Sequence, residues 1–197
     1  MPRTPLDNTG LNLLFRDART HSRWQGGCIG ETLLRKVFDL TIMAPTSANC
    51  APARFVFVST PEGKERLKPA LLSGNIEQTM AASVTAIIGY DMEFYEHLPN
   101  LYPAADAKSW FIDNKKLIWE TAFRNSSLQG AYFLMAARAL GLDCGPMSGF
   151  DEDKVNEEFF PDGRFKTNFL CNIGHGAGEK LAARAPRFSF DEVCEVI

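Results

Sequence analysis

One stretch limits what this chain can fold into more than any other. Residues about 115–140 read as a single long helix, rich in Ala and Leu around Gly130-Ala131-Tyr132-Phe133-Leu134-Met135-Ala136-Ala137. Gly141 follows as a helix C-cap. Apolar residues run almost all the way round it, so such a helix is expected at the centre of a domain or at a subunit interface. With 197 residues the chain is long enough to bury a substantial core, and 1–197 reads as one domain.

The other elements follow from periodicity and punctuation. Residues 1–18 begin irregularly and then form a short helix, with Leu11, Leu14 and Phe15 at helical spacing. A flexible Gly26–Gly30 turn precedes a helix over about 31–43, which Pro45 stops. Arg54–Ser59 is a β-prone run, Pro61 opens the next helix, and a short helix covers roughly 75–82. Val84–Tyr90 and Lys166–Gly174 read as further strands. Residues 91–113, with Tyr95, His97, Tyr102 and Trp110 and little periodicity, read as a functional excursion or lid. Asp151–Lys154 starts an acidic helix. From 181 on the tail is basic, then apolar, an arm that packs on something.

Several function classes are excluded on this reading. The net charge of −3 and the pI near 5.7 argue against nucleic-acid binding. Neither a secretory leader nor an apolar run long enough for a membrane span is found, so the expected location is cytoplasmic. The five cysteines are scattered without a CxxC pair and are read as reduced thiols, and His21, His97 and His175 lie far apart, so no metal is expected. Gly174-His175-Gly176-Ala177-Gly178-Glu179-Lys180 lacks phosphate-loop spacing. There is no GxSxG nucleophile elbow and no GxGxxG after a first strand.

What remains is a set of separated polar fragments. Arg19-x-His21-x-Arg23 alternates cationic side chains; in an extended segment these share one side, and Arg suits phosphate. Pro45, Thr46, Ser47 and Asn49 supply short donors and acceptors, although the same residues would serve a simple helix-stop turn. Asn75 and Gln78 open a helix, where Asn75 could equally be an N-cap. Gly145-Pro146-Met147-Ser148-Gly149 is a loop with glycines suited to close backbone approach. Arg184 and Arg187 close the series near the end, with a solvated tail as the plain alternative. Cations at both ends of the chain and amides between suit a ligand with a phosphate at one end and a flat polar ring at the other.

In this order and spacing the fragments resemble the flavin-binding framework of the nitroreductase family, over nearly the whole chain. The resemblance implies an α+β fold, with a central, mainly antiparallel sheet flanked by helices. It also implies an intertwined homodimer with two FMN sites, each built from both copies. It assigns the phosphate to Arg19, Arg23 and Arg187, with the neighbouring Arg184 as a further candidate and His21 standing where Ser is usual. Pro45, Thr46, Ser47, Asn49, Asn75 and Gln78 would hold the ring edge, and Pro146, Met147, Ser148 and Gly149 would lie along it. Gln78 replaces the usual cation, which implies a lower reduction potential, and Ser148 stands where many relatives carry Glu. Ala51 and Ala53 replace the common Gln and Trp.

That departure resembles the RutE-like branch, the malonic semialdehyde reductases of pyrimidine degradation. The implied reaction is FMN-dependent reduction of 3-oxopropanoate to 3-hydroxypropanoate, with NADPH or NADH as hydride donor and no protein acid or base required. Such a substrate is a small anion. Arg54 and Arg124 are both candidates for its charge, and Trp119 and Phe123 are candidate pocket walls. The alternatives are a broad-specificity quinone or nitroaromatic reductase and a non-enzymatic flavin-binding protein.

Overall fold

A computed structural model describes residues 4–178, 181 and 183–197. Four strands, β1 (Ala53–Val58), β2 (Val84–Asp91), β3 (Asp143–Met147) and β4 (Phe165–Gly174), form one sheet in the order β1-β2-β4-β3, with every neighbouring pair antiparallel. The α+β class with a flanked antiparallel sheet is as expected. All eight residues of β2 are buried, which fits its apolar run and its central place.

Helices cover both faces. On one lie α2 (Glu31–Thr41) and α6 (Lys115–Ala139), packing Leu34, Val37, Phe133, Ala136 and Ala137 against Val84, Ala86, Ile88, Cys171 and Ile173. On the other, α3 (Pro61–Leu67) and α7 (Glu152–Phe159) pack Leu67 and Val155 against Val58, Ile87 and Leu170. The short helix α1 (Asn8–Leu11) runs on to Arg16, α5 (Leu98–Leu101) lies in the excursion, and α8 (Phe190–Val193) lies in the tail.

Helix α6 starts where the Asn114 side chain accepts from Leu117 N–H and ends in a Schellman turn. There Gly141 takes φ +79°, its N–H reaching Arg138 O and Leu142 N–H reaching Ala137 O. Its burial is not a simple apolar stripe. Thr121, Asn125, Ser126 and Gln129 are turned inward, while Trp119, Phe123, Leu128 and Tyr132 are exposed. Gly130 lets it lie down on the sheet, since a Cβ there would come within 2.5 Å of the Phe169 ring.

Three boundaries differ from the sequence reading. Helix α4 (Ser73–Ala81) begins two residues early, with Leu72 as its N-cap. The excursion is not irregular: 3₁₀ turns at Phe94–His97 and Ala107–Phe111 flank α5, and Phe94, Leu98 and Phe111 form a core with Tyr90, Ile118 and Ala122. The expected 145–149 loop is mostly strand β3. Pro146 hides this in the sequence, but its missing N–H is tolerated on a short outer strand. The Thr20–Trp24 segment then lies alongside β3, with His21 N–H donating to Cys144 O.

Candidate functional site

Two polar patches stand out, at opposite edges of the sheet. The first surrounds β3. Arg19, Arg138, Arg184 and Arg187 line a cavity of about 290 Å³ together with Ala18 and Thr20. Backbone carbonyls hold the guanidinium groups. Arg184 Nη2 donates to Phe15, Arg16 and Ala18 O at 2.8–3.0 Å, and Arg19 Nη1 donates to Arg16 and Ala18 O at 3.0 Å. Arg187 is held to Ala185 and Pro186 O, and Arg138 Nη1 to Leu14 O. The buried Nε of Arg138 has no partner among the described residues. Among the described residues none of the four is within 4 Å of a carboxylate. Desolvation, then repulsion from Arg19, Arg187 and Arg138, pulls Arg184 below the usual arginine pKa. Four uncompensated cations around one cavity make an anion site.

Arg138 was invisible in the sequence, because a basic residue in the last turn of a helix is ordinary there. Two expected members of this clamp lie elsewhere. Arg23 is exposed and does not line the cavity; its carbonyl accepts from Ala177 N–H. His21 is 6% exposed, with Nε2 3.3 Å from Asp143 and its ring packed on Gly176, where a Cβ would meet Nδ1 at 1.8 Å. Its place one strand-step from Cys144 turns it inward, so its side chain serves the fold. Of the Gly174–Lys180 run, Glu179 and Lys180 lie outside the described residues.

Asn75 and Gln78 of α4 meet the end of β3. Asn75 Nδ2 donates to Gly149 O at 2.8 Å, and Gln78 Nε2 donates to Asn75 Oδ1. Asn75 is therefore no N-cap: its amide donates across the gap to Gly149 O, and its oxygen accepts from the Gln78 side chain. A Cβ on Gly149 would fall 2.4 Å from Asn75 Nδ2. Trp24 Nε1 donates to Gln78 O, and Met147 Sδ accepts from Thr79 Oγ1 at 3.7 Å. Pro146 is half-buried, and Ser148 is exposed.

The second patch surrounds the start of β1. After exposed Pro45, the backbone takes positive φ at Ala48 (48°), Asn49 (49°) and Ala51 (38°), a conformation non-glycine residues hold only when braced. The braces are Asn125 Oδ1 on Ser47 N–H at 2.8 Å, Thr46 Oγ1 on Ala51 N–H, Asn49 Nδ2 on Leu101 O, and Gln129 Oε1 on Ala53 N–H. The inward amides of α6 are thus explained. Burial pushes the Cys50 thiol up to about 11, so it is inert.

Nearby, Trp119 and Phe123 stack at 5.4 Å as an exposed aromatic shelf, Phe123 edge-on to Tyr90. Arg54 is tied to the fully buried Asp91 at 2.5 Å and to Ala51 and Ala53 O, while Arg124 is exposed. Burial works to raise the Asp91 pKa, but hydrogen bonds from Arg164 and the Glu93 N–H, with the Arg54 charge, win and hold it low. None of the loop's braces reaches α4 or β3. The two patches sit at the outer strands β1 and β3, which are roughly 14 Å apart across the sheet by strand spacing.

This sheet with its two patches can be set against known proteins. The sequence profile described as "Nitroreductase family" matches residues 29–175. The chain belongs to the nitroreductase family. Among relatives of this nitroreductase-family chain, a Polynucleobacter asymbioticus protein provisionally named NADH dehydrogenase/NAD(P)H nitroreductase is 56% identical over 98% of both chains. A Burkholderia lata protein of the same provisional name is also 56% identical, over 98% of this chain and 99% of its own. A provisionally assigned nitroreductase of Exiguobacterium sibiricum, solved in complex with FMN, superposes with a TM-score of 0.85 over 100% of both chains at 20% identity. At that identity the likeness speaks for the fold alone.

Proposed function

We propose that this nitroreductase-family protein is an FMN-dependent NAD(P)H oxidoreductase that works as a homodimer and reduces 3-oxopropanoate to 3-hydroxypropanoate, the reaction of pyrimidine degradation. The observation that carries the cofactor is the arginine cavity, which among the described residues has no carboxylate within 4 Å of its four guanidinium groups. The residues fit FMN: Arg19, Arg138, Arg184 and Arg187 would take its phosphate, and the orphaned Arg138 Nε would gain a partner. Asn75 and Gln78 would meet the polar ring edge, and Gly149 leaves room for the Asn75 amide. When bound, FMN accepts a hydride from NAD(P)H and passes it to the second substrate. The relatives' provisional names and the Exiguobacterium complex support the FMN-dependent NAD(P)H oxidoreductase part of this reading.

Three features support the homodimer. The Pro45–Asn49 loop lies at the opposite sheet edge from the arginine patch of its own chain, and in this reading a second copy brings it there. Helix α6 exposes Trp119, Phe123, Leu128 and Tyr132. The tail exposes Phe188, Phe190, Val193, Val196 and Ile197, while β1 pairs on one side only and borders a groove of about 580 Å³ beside Phe38, Phe55 and Phe57. The partner's tail is the matching occupant.

The aldehyde acid is favoured by the Pro45-Thr46-Ser47-Ala48-Asn49-Cys50 segment, the part that resembles the RutE-like branch. The open aromatic shelf favours a second reading, a reductase of flat quinones or nitroaromatics. An anaerobic NADPH titration separates them. A yellow protein that bleaches and recovers its colour with 3-oxopropanoate supports the first; recovery with quinones alone supports the second. A yellow protein that no nicotinamide bleaches is a flavin binder without this activity. A colourless protein that takes up no added FMN ends all three.

A further inference from the structure

Ala48, Asn49 and Ala51 hold φ of 48°, 49° and 38°, and none is glycine. Such a run is strained and persists only where its surroundings over-determine it. Helix α6 fixes the chain at two points around it. The Asn125 side-chain oxygen accepts from Ser47 N–H at 2.8 Å, and that of Gln129 accepts from Ala53 N–H at 2.9 Å. The two amides lie one helical turn apart, 3% and 4% exposed, so they share the inward face of α6. Asn125 also donates from Nδ2 to Thr121 O at 2.8 Å, which turns its oxygen toward the loop.

The bonds inside the loop decide what is left to face outward. Asn49 N–H is taken by Thr46 O, Cys50 N–H by Ser47 O and Ala51 N–H by Thr46 Oγ1. Asn49 Nδ2 is taken by Leu101 O. Ser47 and Asn49 are both exposed, and among the described residues the Ser47 hydroxyl and the Asn49 side-chain oxygen have no hydrogen-bond partner. Of the two residues, only Ser47 has its own N–H bonded to α6. Apolar side chains would bury this face of α6 at less cost than two amides. The amides instead select one backbone geometry, because a buried amide left unpaired is costly.

We propose that Asn125 is a positioning residue of the flavin site: through the Ser47 backbone it holds the Ser47 hydroxyl where that hydroxyl bonds the flavin carried by the second copy. This rests on the functional reading above. Asn125 touches neither cofactor nor substrate. Ser47 supplies the contact, and Asn125 keeps the strained run from relaxing and carrying the hydroxyl away. A displacement of about 1 Å is enough to break a hydrogen bond.

The test titrates apoprotein with FMN in the wild type, Ser47→Ala, Asn125→Ala and the two substitutions combined. Ser126→Ala is the control. That side chain is also buried on α6, but its hydroxyl donates to Phe123 O and accepts from Asn168 Nδ2, away from the loop. Asn125→Ala is expected to raise the FMN dissociation constant about 5- to 30-fold. In the Ser47→Ala background the same substitution should raise it less than about twofold, because the contact it serves is already gone. The visible flavin band should shift alike in Asn125→Ala and Ser47→Ala and stay in place in Ser126→Ala. Asn125→Leu keeps the volume without the acceptor and takes the place of Asn125→Ala if the alanine variant does not fold. Equal losses in both backgrounds, unchanged affinity in Ser47→Ala, or a loss in Ser126→Ala as large as in Asn125→Ala overturns this assignment alone. A wild type that takes up no FMN overturns the functional reading and this role with it.

Discussion

Arg19 and Arg23 look interchangeable in the sequence, and the structure makes them different residues. Only Arg19 lines the arginine cavity. Arg19→Ala is expected to weaken FMN binding by about 1.5–3 kcal/mol, the scale of a hydrogen bond to a charged group, while Arg23→Ala stays within twofold. Fluorescence titration of apoprotein with FMN checks both, and equal effects would return Arg23 to the clamp. Lys64 could not be singled out in the sequence at all. It is 4% exposed, with its ammonium held by Thr79 O, Ala82 O and Thr85 Oγ1 and no acid beside it, and burial lowers its pKa to about 8 from 10.5. Between those values the unfolded chain binds more protons than the folded one, so this lysine makes stability rise with pH from about 8 to about 10.5. The gain is on the order of 3 kcal/mol. Urea midpoints at pH 7 and pH 10.5 should show that rise in wild type and lose it in Lys64→Met; parallel curves would refute it.

At the scale of elements, strands β1, β2 and β4 were legible because their β-branched and aromatic runs have one reading. Strand β3 was not, because Gly145 and Pro146 are loop residues by local preference and only pairing with Cys171 and Asn172 overrides them. Helix α6 was legible as a helix, but its orientation was not. Periodicity cannot tell that Asn125 and Gln129 face inward to brace the loop before β1 while Phe123 faces out. The fit of α6 to the sheet depends on Gly130. Gly130→Ala forces a Cβ to 2.5 Å from Phe169, and a loss of about 1–3 kcal/mol in the denaturation midpoint is expected. Gly74→Ala, with nothing within 4 Å of its Cβ, is the control.

For the whole molecule, the family and the sheet architecture could be read from spaced fragments, whereas the split of those fragments into two patches could not. Spacing along the chain says nothing about which sheet edge a segment joins. The tail carries the assembly prediction. Deleting residues 188–197 keeps Arg184 and Arg187 but removes five exposed apolar side chains. Light scattering should then find monomers where the full chain gives dimers, with FMN lost on dilution. A truncated chain that still pairs would place the contact on α6 alone.

The distance between the arginine cavity and the braced loop has a genetic consequence. A copy crippled in the cavity still owns a sound loop, and a copy crippled in the loop still owns a sound cavity. Coexpressing two such dead alleles should rebuild one intact centre in each mixed pair, giving about a quarter of the normal centres under random pairing in a twofold-symmetric assembly. Two alleles damaged in the same patch should rescue nothing.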